Sequence, residues 1–237
     1  MNRSGRKGLV GGRAAIGSVA LLVVAAAALL PGTSARAATS PLPASVDWAQ
    51  GLSFGPVGNV GAGAVADCAV AAVADIEQVF LRRPEPANPA PYLAAYGALA
   101  RASGETPGPT AGLRPSDVLA TWRTRGIAGT HATARRLAAL DVATVEHALS
   151  VGPLYSVLDL PSPASTAATW VDARGVALTA WSASSAPAGY TARGPHVVAV
   201  VGYDPVGVLV ATWGFVQPIT WAEWHVLATA AWAVLPA

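Results

Sequence analysis

The chain holds one cysteine, Cys68, and no lysine beyond Lys7. A single thiol closes no disulfide within the chain and builds no multi-cysteine zinc site, so neither the disulfide-stapled nor the zinc-finger class applies. The four histidines, His131, His147, His196 and His225, show no paired ligand spacing, and no metal or cofactor is expected. Charge is sparse too: Asp, Glu, Lys and Arg are 12% of the 237 residues, and much of the basic excess sits near the N-terminus. No later Lys/Arg cluster interleaved with aromatics offers a nucleic-acid surface. Beyond the first 30 residues no apolar run is long enough to cross a bilayer, and no internal repeat is visible.

What is present begins with a leader. MNRSGRKGLVGGR is basic, AAIGSVALLVVAAAALL is apolar, and Ala35-Arg36-Ala37 has the small-x-small form of a cleavage site, so residues 1–37 read as a secretory signal. An uncleaved membrane anchor is the weaker alternative, because the apolar core is short for a spanning helix. The Ala-rich, Arg-only composition suits a high-GC bacterial source. Residues 38–237 are expected to be secreted, extracellular and free of the membrane after cleavage, and they suffice for one large domain or two lobes sharing a cleft.

The pattern changes midway along these residues. Apolar positions at helical spacing predict a helix from about Cys68 to Leu81, with Asp67 placed to cap it, and further helices at 91–102, 114–125 and 142–151. From there PLYSVLDLP, HVVAVVGYD, GVLVATWG and TAAWAVLP are short Val- and aromatic-rich runs between turns, which predict an antiparallel sheet or small barrel. ITWAEWHVL predicts one short helix before the last strand, and Ser162–Arg193 is a long Ser/Ala/Gly/Pro insertion. The fold class is therefore α+β, with 38–140 mainly helical, 141–237 mainly β, and a cleft between the two lobes.

Cys68 stands where the glycine-rich loop after Asn59 meets the first helix. Free N–H groups at a helix start favour thiolate over thiol, which predicts a lowered thiol pKa; the alternative is a small buried hydrophobe in an Ala/Val-rich helix. His196 opens an apolar strand far along the chain. A distant Cys and His that meet in the fold can act as nucleophile and base, whereas a packed, hydrogen-bonded histidine is the alternative for His196 alone. Trp221 and Trp224 read as core, and His131, His147 and His225 as surface or structural residues.

Several stretches resemble the papain-like cysteine peptidases. PLPASVDWAQGLSFGPVGNVG is similar to the family's mature start, GPLYSVLDL to the strand after the last helix of its first half, and GPHVVAVVGYD with VLVATWG to its histidine strand and Trp-Gly hairpin. All occur in the family's order over nearly the whole chain after residue 37. The resemblance implies a two-lobe fold and hydrolysis of peptide or cell-wall amides through an acyl-enzyme, with Cys68 as nucleophile and His196 as its proton partner. It implies Asn59 as an oxyanion donor beside the Cys68 backbone N–H, and Trp213 as a shield over the histidine.

The chain also departs from that pattern. Val60 replaces the glutamine after the loop asparagine, and matching the helix residue by residue puts Asp67 in the nucleophile's place and Cys68 where a tryptophan belongs. Ala211 occupies the position of the orienting asparagine, which leaves the adjacent Thr212 as the polar candidate for that role. Almost nothing separates the signal from Pro41, so the usual inhibitory propeptide is missing, which argues against an unrestrained general protease. A catalytically inactive extracellular binding or adaptor domain that keeps the cleft is the competing expectation.

Overall fold

The computed structural model describes residues 41–58, 65–160, 168–171, 177–180 and 194–237, with 168–171, 177–180 and 194 described by backbone alone. The expected signal, residues 1–37, and Asn59 lie outside the described residues. Among the described residues the first half supplies three helices, α1 (Cys68–Leu81), α2 (Ala90–Ala102) and α3 (Pro115–Thr124), with α4 (Val142–Leu149) next and α5 (Trp221–Leu227) near the end. Each falls within a few residues of its expected place. Proline at the first turn starts α2 and α3, where its missing N–H costs nothing. Asp141 caps α4, its side chain accepting from the Thr144 N–H at 3.0 Å.

The strands are β1 (Val46–Asp47), β2 (Ala132–Arg136), β3 (Leu154–Leu160), β4 (Ala168–Val171), β5 (Ala177–Ala180), β6 (Gly194–Tyr203), β7 (Gly207–Thr212), β8 (Phe215–Thr220) and β9 (Ala228–Pro236). Seven of them form one antiparallel sheet, with path β2-β9-β3-β6-β7-β8 and β1 joined to β6, while β4 and β5 pair separately. Three strands of the large sheet escape the sequence pattern, the shortest being the two-residue β1. β2 lies inside the stretch expected to be helical, yet its alternation of Ala132 and Ala134 with exposed Thr133 and Arg135 suits a sheet edge, where it pairs β9. β8 contains Pro218, which is tolerated because β8 is the opposite edge.

Central strand β6 divides the interior. Val197, Ala199 and Val201 join the core formed with α1, α2 and α3, whereas Val198, Val200 and Tyr203 join a second core with α4 and α5. From Val197 to Val201 this is the two-residue period of a strand buried on both faces, and the register shift between Val200 and Gly202 turns Tyr203 to the second core. Trp224 is fully buried in the second core and its indole N–H donates to the Leu140 carbonyl at 3.0 Å. Two further anchors fix α1 from below: the Gln78 amide donates to Ser53 O at 2.7 Å, and the Tyr155 hydroxyl donates to Ala69 O at 3.0 Å.

Gly202 marks a register shift in the β6–β7 pairing and lies opposite Asp47 of β1. A Cβ there would collide with the Val46 carbonyl oxygen and crowd Asp47 Cα at 3.2 Å. Gly202→Ala is therefore expected to lift β1 off the sheet and cost about 1–3 kcal/mol in urea denaturation; an unchanged midpoint would show that β1 does not depend on this close approach.

Candidate active site

The turn between β7 and β8 builds one side of the site. Trp213 and Gly214 both have positive φ, 51° and 88°, and Thr212 faces Phe215 across a two-residue hairpin. That geometry matches the right-handed twist of paired strands, but it places a bulky tryptophan in a conformation that L-residues rarely adopt. Gly214 satisfies two constraints at once, since a Cβ would also meet Pro56 Cδ at 2.7 Å. The hairpin is thereby pressed against the loop that leads to α1.

His196 near the start of β6 lies against this turn. Its Nε2 is 2.8 Å from Thr212 Oγ1, and its ring stacks on Trp213 with centroids 4.5 Å apart and planes 13° from parallel. His196, Thr212 and Trp213 thus form one buried group, and Ala211 sits in the α1-side core with no polar atom to offer from its side chain. Cys68 begins α1 and packs on that same core, half-buried, and the Val197 N–H lies close enough to its sulfur to favour the thiolate. That N–H belongs to the peptide joining His196 to Val197. Cysteine and histidine are thus brought to adjoining points of β6.

Asp67 departs from its expected role. It is the residue before α1, but its side chain makes no capping hydrogen bond; the first helical N–H groups are met by its backbone carbonyl, which accepts from Val70 at 2.8 Å and Ala71 at 2.9 Å. The carboxyl is fully buried, neither oxygen has a hydrogen-bond partner among the described residues, and Oδ2 lies 2.9 Å from where a Gly58 Cβ would be. The loop therefore needs glycine at 58 to make room for it. Sequence reading placed Asp67 as a helix cap, or in the nucleophile's place, without foreseeing its burial, and it missed Asp75 two turns further on, which was legible only as a charge inside an otherwise apolar helix.

No family model and no curated protein sequence matches the chain. Its structure is similar to that of xylellain, a cysteine protease from Xylella fastidiosa, with a TM-score of 0.56 and 14% identity over 83% of this chain and 87% of that one. The fold is papain-like. Other similar structures are the Carica candamarcensis cysteine protease CMS1MS2 in complex with E-64, at TM-score 0.49 and 16% identity over 83% and 99% of the two chains, and digestive procathepsin L 3 of Tenebrio molitor larval midgut, at 0.49 and 15% over 84% and 71%.

Within this papain-like frame the electrostatics reverse the expected activation of the thiol. Burial pushes Cys68 up to about 11 and the nearby Asp67 carboxylate adds to the rise, outweighing the Val197 N–H and the helix-start N–H groups that favour the thiolate. Burial likewise pushes His196 down to about 3, so thiol and imidazole are both neutral at pH 7. Burial raises Asp67 to about 7 and Asp75 to about 8, the latter also through Asp67. Among the described residues no group of three or more His, Cys, Asp or Glu side chains is placed to hold a metal ion.

Two measurements follow from these shifts. Alkylation of Cys68 by iodoacetamide is expected to have its midpoint near 11, and Asp67→Asn is expected to move it down; a wild-type midpoint below about 8 would contradict the burial argument. For stability, the folded state keeps protons on Asp67 and Asp75 that the unfolded chain releases near 3.8, so stability falls as pH rises towards about 7 and 8. His196 works in the opposite sense, but only between about 3 and its ordinary 6.5. Chemical denaturation between pH 6.5 and 8 should therefore show falling stability, by up to about 1.4 kcal/mol per pH unit for each carboxyl, and Asp75→Asn should flatten the fall.

Proposed function

We propose that this chain is a secreted cysteine-type hydrolase of peptide or cell-wall amides, with Cys68 as nucleophile and His196 as proton carrier. The observation that carries the proposal is the held imidazole: bonded to Thr212, stacked on Trp213, and next in the chain to Val197, whose N–H lies near the Cys68 sulfur. With Nε2–H donating to Thr212, Nδ1 holds a lone pair that can take the thiol proton. The sulfur then attacks the carbonyl carbon, the amine leaves with the proton from His196, and water hydrolyses the thioester while returning a proton to the sulfur. Because the resting pair is neutral, proton transfer accompanies attack instead of preceding it.

In this proposal Thr212 orients the imidazole, Trp213 keeps water from it, and Asn59 joins the Cys68 backbone N–H as an oxyanion donor. A second reading, a papain-like extracellular domain that binds peptide without cutting it, is favoured by the thiol near 11, which leaves about one molecule in 10⁴ as thiolate at pH 7.

Turnover of a peptide library by the protein lacking residues 1–37 separates the two. The hydrolase reading expects Cys68→Ala to abolish product, His196→Ala to cost roughly 10²-fold or more, and Thr212→Val to lower kcat more than it raises KM. It also expects kcat/KM to fall as Asp67 ionises above about pH 7, and Asp67→Asn to remove that fall. Peptide capture without product, equal in wild type and Cys68→Ala, would select the binding reading instead.

A further inference from the structure

The large sheet ends at β8 on one side and at β2 on the other. Pro218 leaves β8 without one of its N–H donors. No proline interrupts β2, whose residues read ATARR. β2 lies three strands from β6, the strand of His196, or about 14 Å across the sheet. This edge is therefore separate from the His196 site.

Pairing with β9 uses only half of the β2 backbone. The Ala237 N–H donates to the His131 carbonyl at 3.1 Å and the Leu137 N–H to the Ala231 carbonyl at 2.9 Å, so the odd-numbered residues from His131 to Leu137 are the ones that bond β9. Ala132, Ala134 and Arg136 consequently turn their N–H and C=O groups the other way. Among the described residues no other backbone segment bonds the outward groups of Ala134 and Arg136. Ala132 is buried, whereas Ala134 is half-buried and Arg135 and Arg136 are exposed, so the open stretch is residues 134–136. Open donors and acceptors in this arrangement can extend a sheet by one more strand.

The charge on this edge selects the partner. Arg136 shares the α1 side of the sheet with Ala134, and its guanidinium lies 5.7 Å from the centre of the Trp232 ring. Arg135, the next residue back, belongs to the opposite face. An added strand thus meets a cation whichever way its side chains alternate. β2 and β9 carry no acid, and neither does any residue between Asp117 and Asp141. Pairing with a second copy would bring the arginines of both chains into one short ladder, where like charges repel. We propose that β2 is a docking edge for an extended acidic segment of another protein, which adds as a further strand beside residues 134–136 and sets its carboxylates against Arg135 and Arg136.

The protein lacking residues 1–37 keeps the whole compact unit Pro41–Ala237 and serves for the test. Two short blocked peptides, one of valine and glutamate and one of valine and lysine, are followed by NMR titration and amide hydrogen exchange. The glutamate peptide is expected to slow exchange of the Ala134 and Arg136 amides at least about fivefold while leaving Thr133 and Arg135 unchanged, and added salt should weaken it. The lysine peptide should bind at least about tenfold more weakly, and Arg135→Glu with Arg136→Glu should reverse that preference. Ala134→Pro removes an outward N–H and no ladder bond, so it should abolish binding with the melting temperature kept. Full N-methylation of the glutamate peptide keeps its charge, cannot enter a ladder, and should abolish binding with the protein untouched. None of these readouts involves turnover, so they stand apart from the hydrolase reading. Binding that survives N-methylation or Ala134→Pro, equal binding of the two peptides, or no protection of Ala134 and Arg136 would overturn the proposal.

Discussion

Desolvation at the start of α1 is the constraint on which the rest of the site depends. The helix enters the interior with Asp67 fully buried, Cys68 packed on the core, and Asp75 and Glu77 also inside. A helix start ordinarily favours negative charge through its free N–H groups, at about 0.3–1 kcal/mol for each favourable placement. Removing a thiolate or a carboxylate from water costs several times that unless a partner is supplied. Burial therefore wins, and each ionisable group near the junction shifts towards its uncharged form.

The surrounding architecture holds this junction closed. Tyr155 reaches up to the Ala69 carbonyl, Gln78 ties the helix to Ser53, and the Trp213-Gly214 turn presses on Pro56 in the loop before α1. The turn contributes through strain as well as contact, since Trp213 keeps a positive φ while its ring lies flat against His196. A histidine stacked in this way exchanges water for the face of an indole. Its Nε2 keeps one polar contact, to Thr212, so the ring's orientation is fixed while its charge is suppressed.

Much of the fold was legible in the sequence because periodicity and turn residues agreed. Helical spacing in Cys68–Leu81, proline at the starts of α2 and α3, and Val-rich runs between glycines all had one consistent reading. β2 was not legible, because an edge strand of five residues with two arginines carries no apolar signature, and it gains its place only by pairing β9. At the site, Thr212 was legible as the polar neighbour of Ala211, and Trp213 through its Trp-Gly pair. The uncharged state of Cys68 and His196 was not, because it comes from surroundings contributed by distant segments. Asp67 shows the same limit: a capping residue by position, it turns out to be a buried carboxyl beside Gly58.

The central claim, that His196 is a neutral imidazole at pH 7, is most directly tested by ¹⁵N NMR of histidine-labelled protein, with His196→Gln used to assign the resonances. The account predicts one protonated and one unprotonated ring nitrogen for His196 from about pH 4 to 9. An imidazolium signal from His196 at pH 7 that titrates together with Cys68 would contradict it and would show a preformed thiolate–imidazolium pair instead.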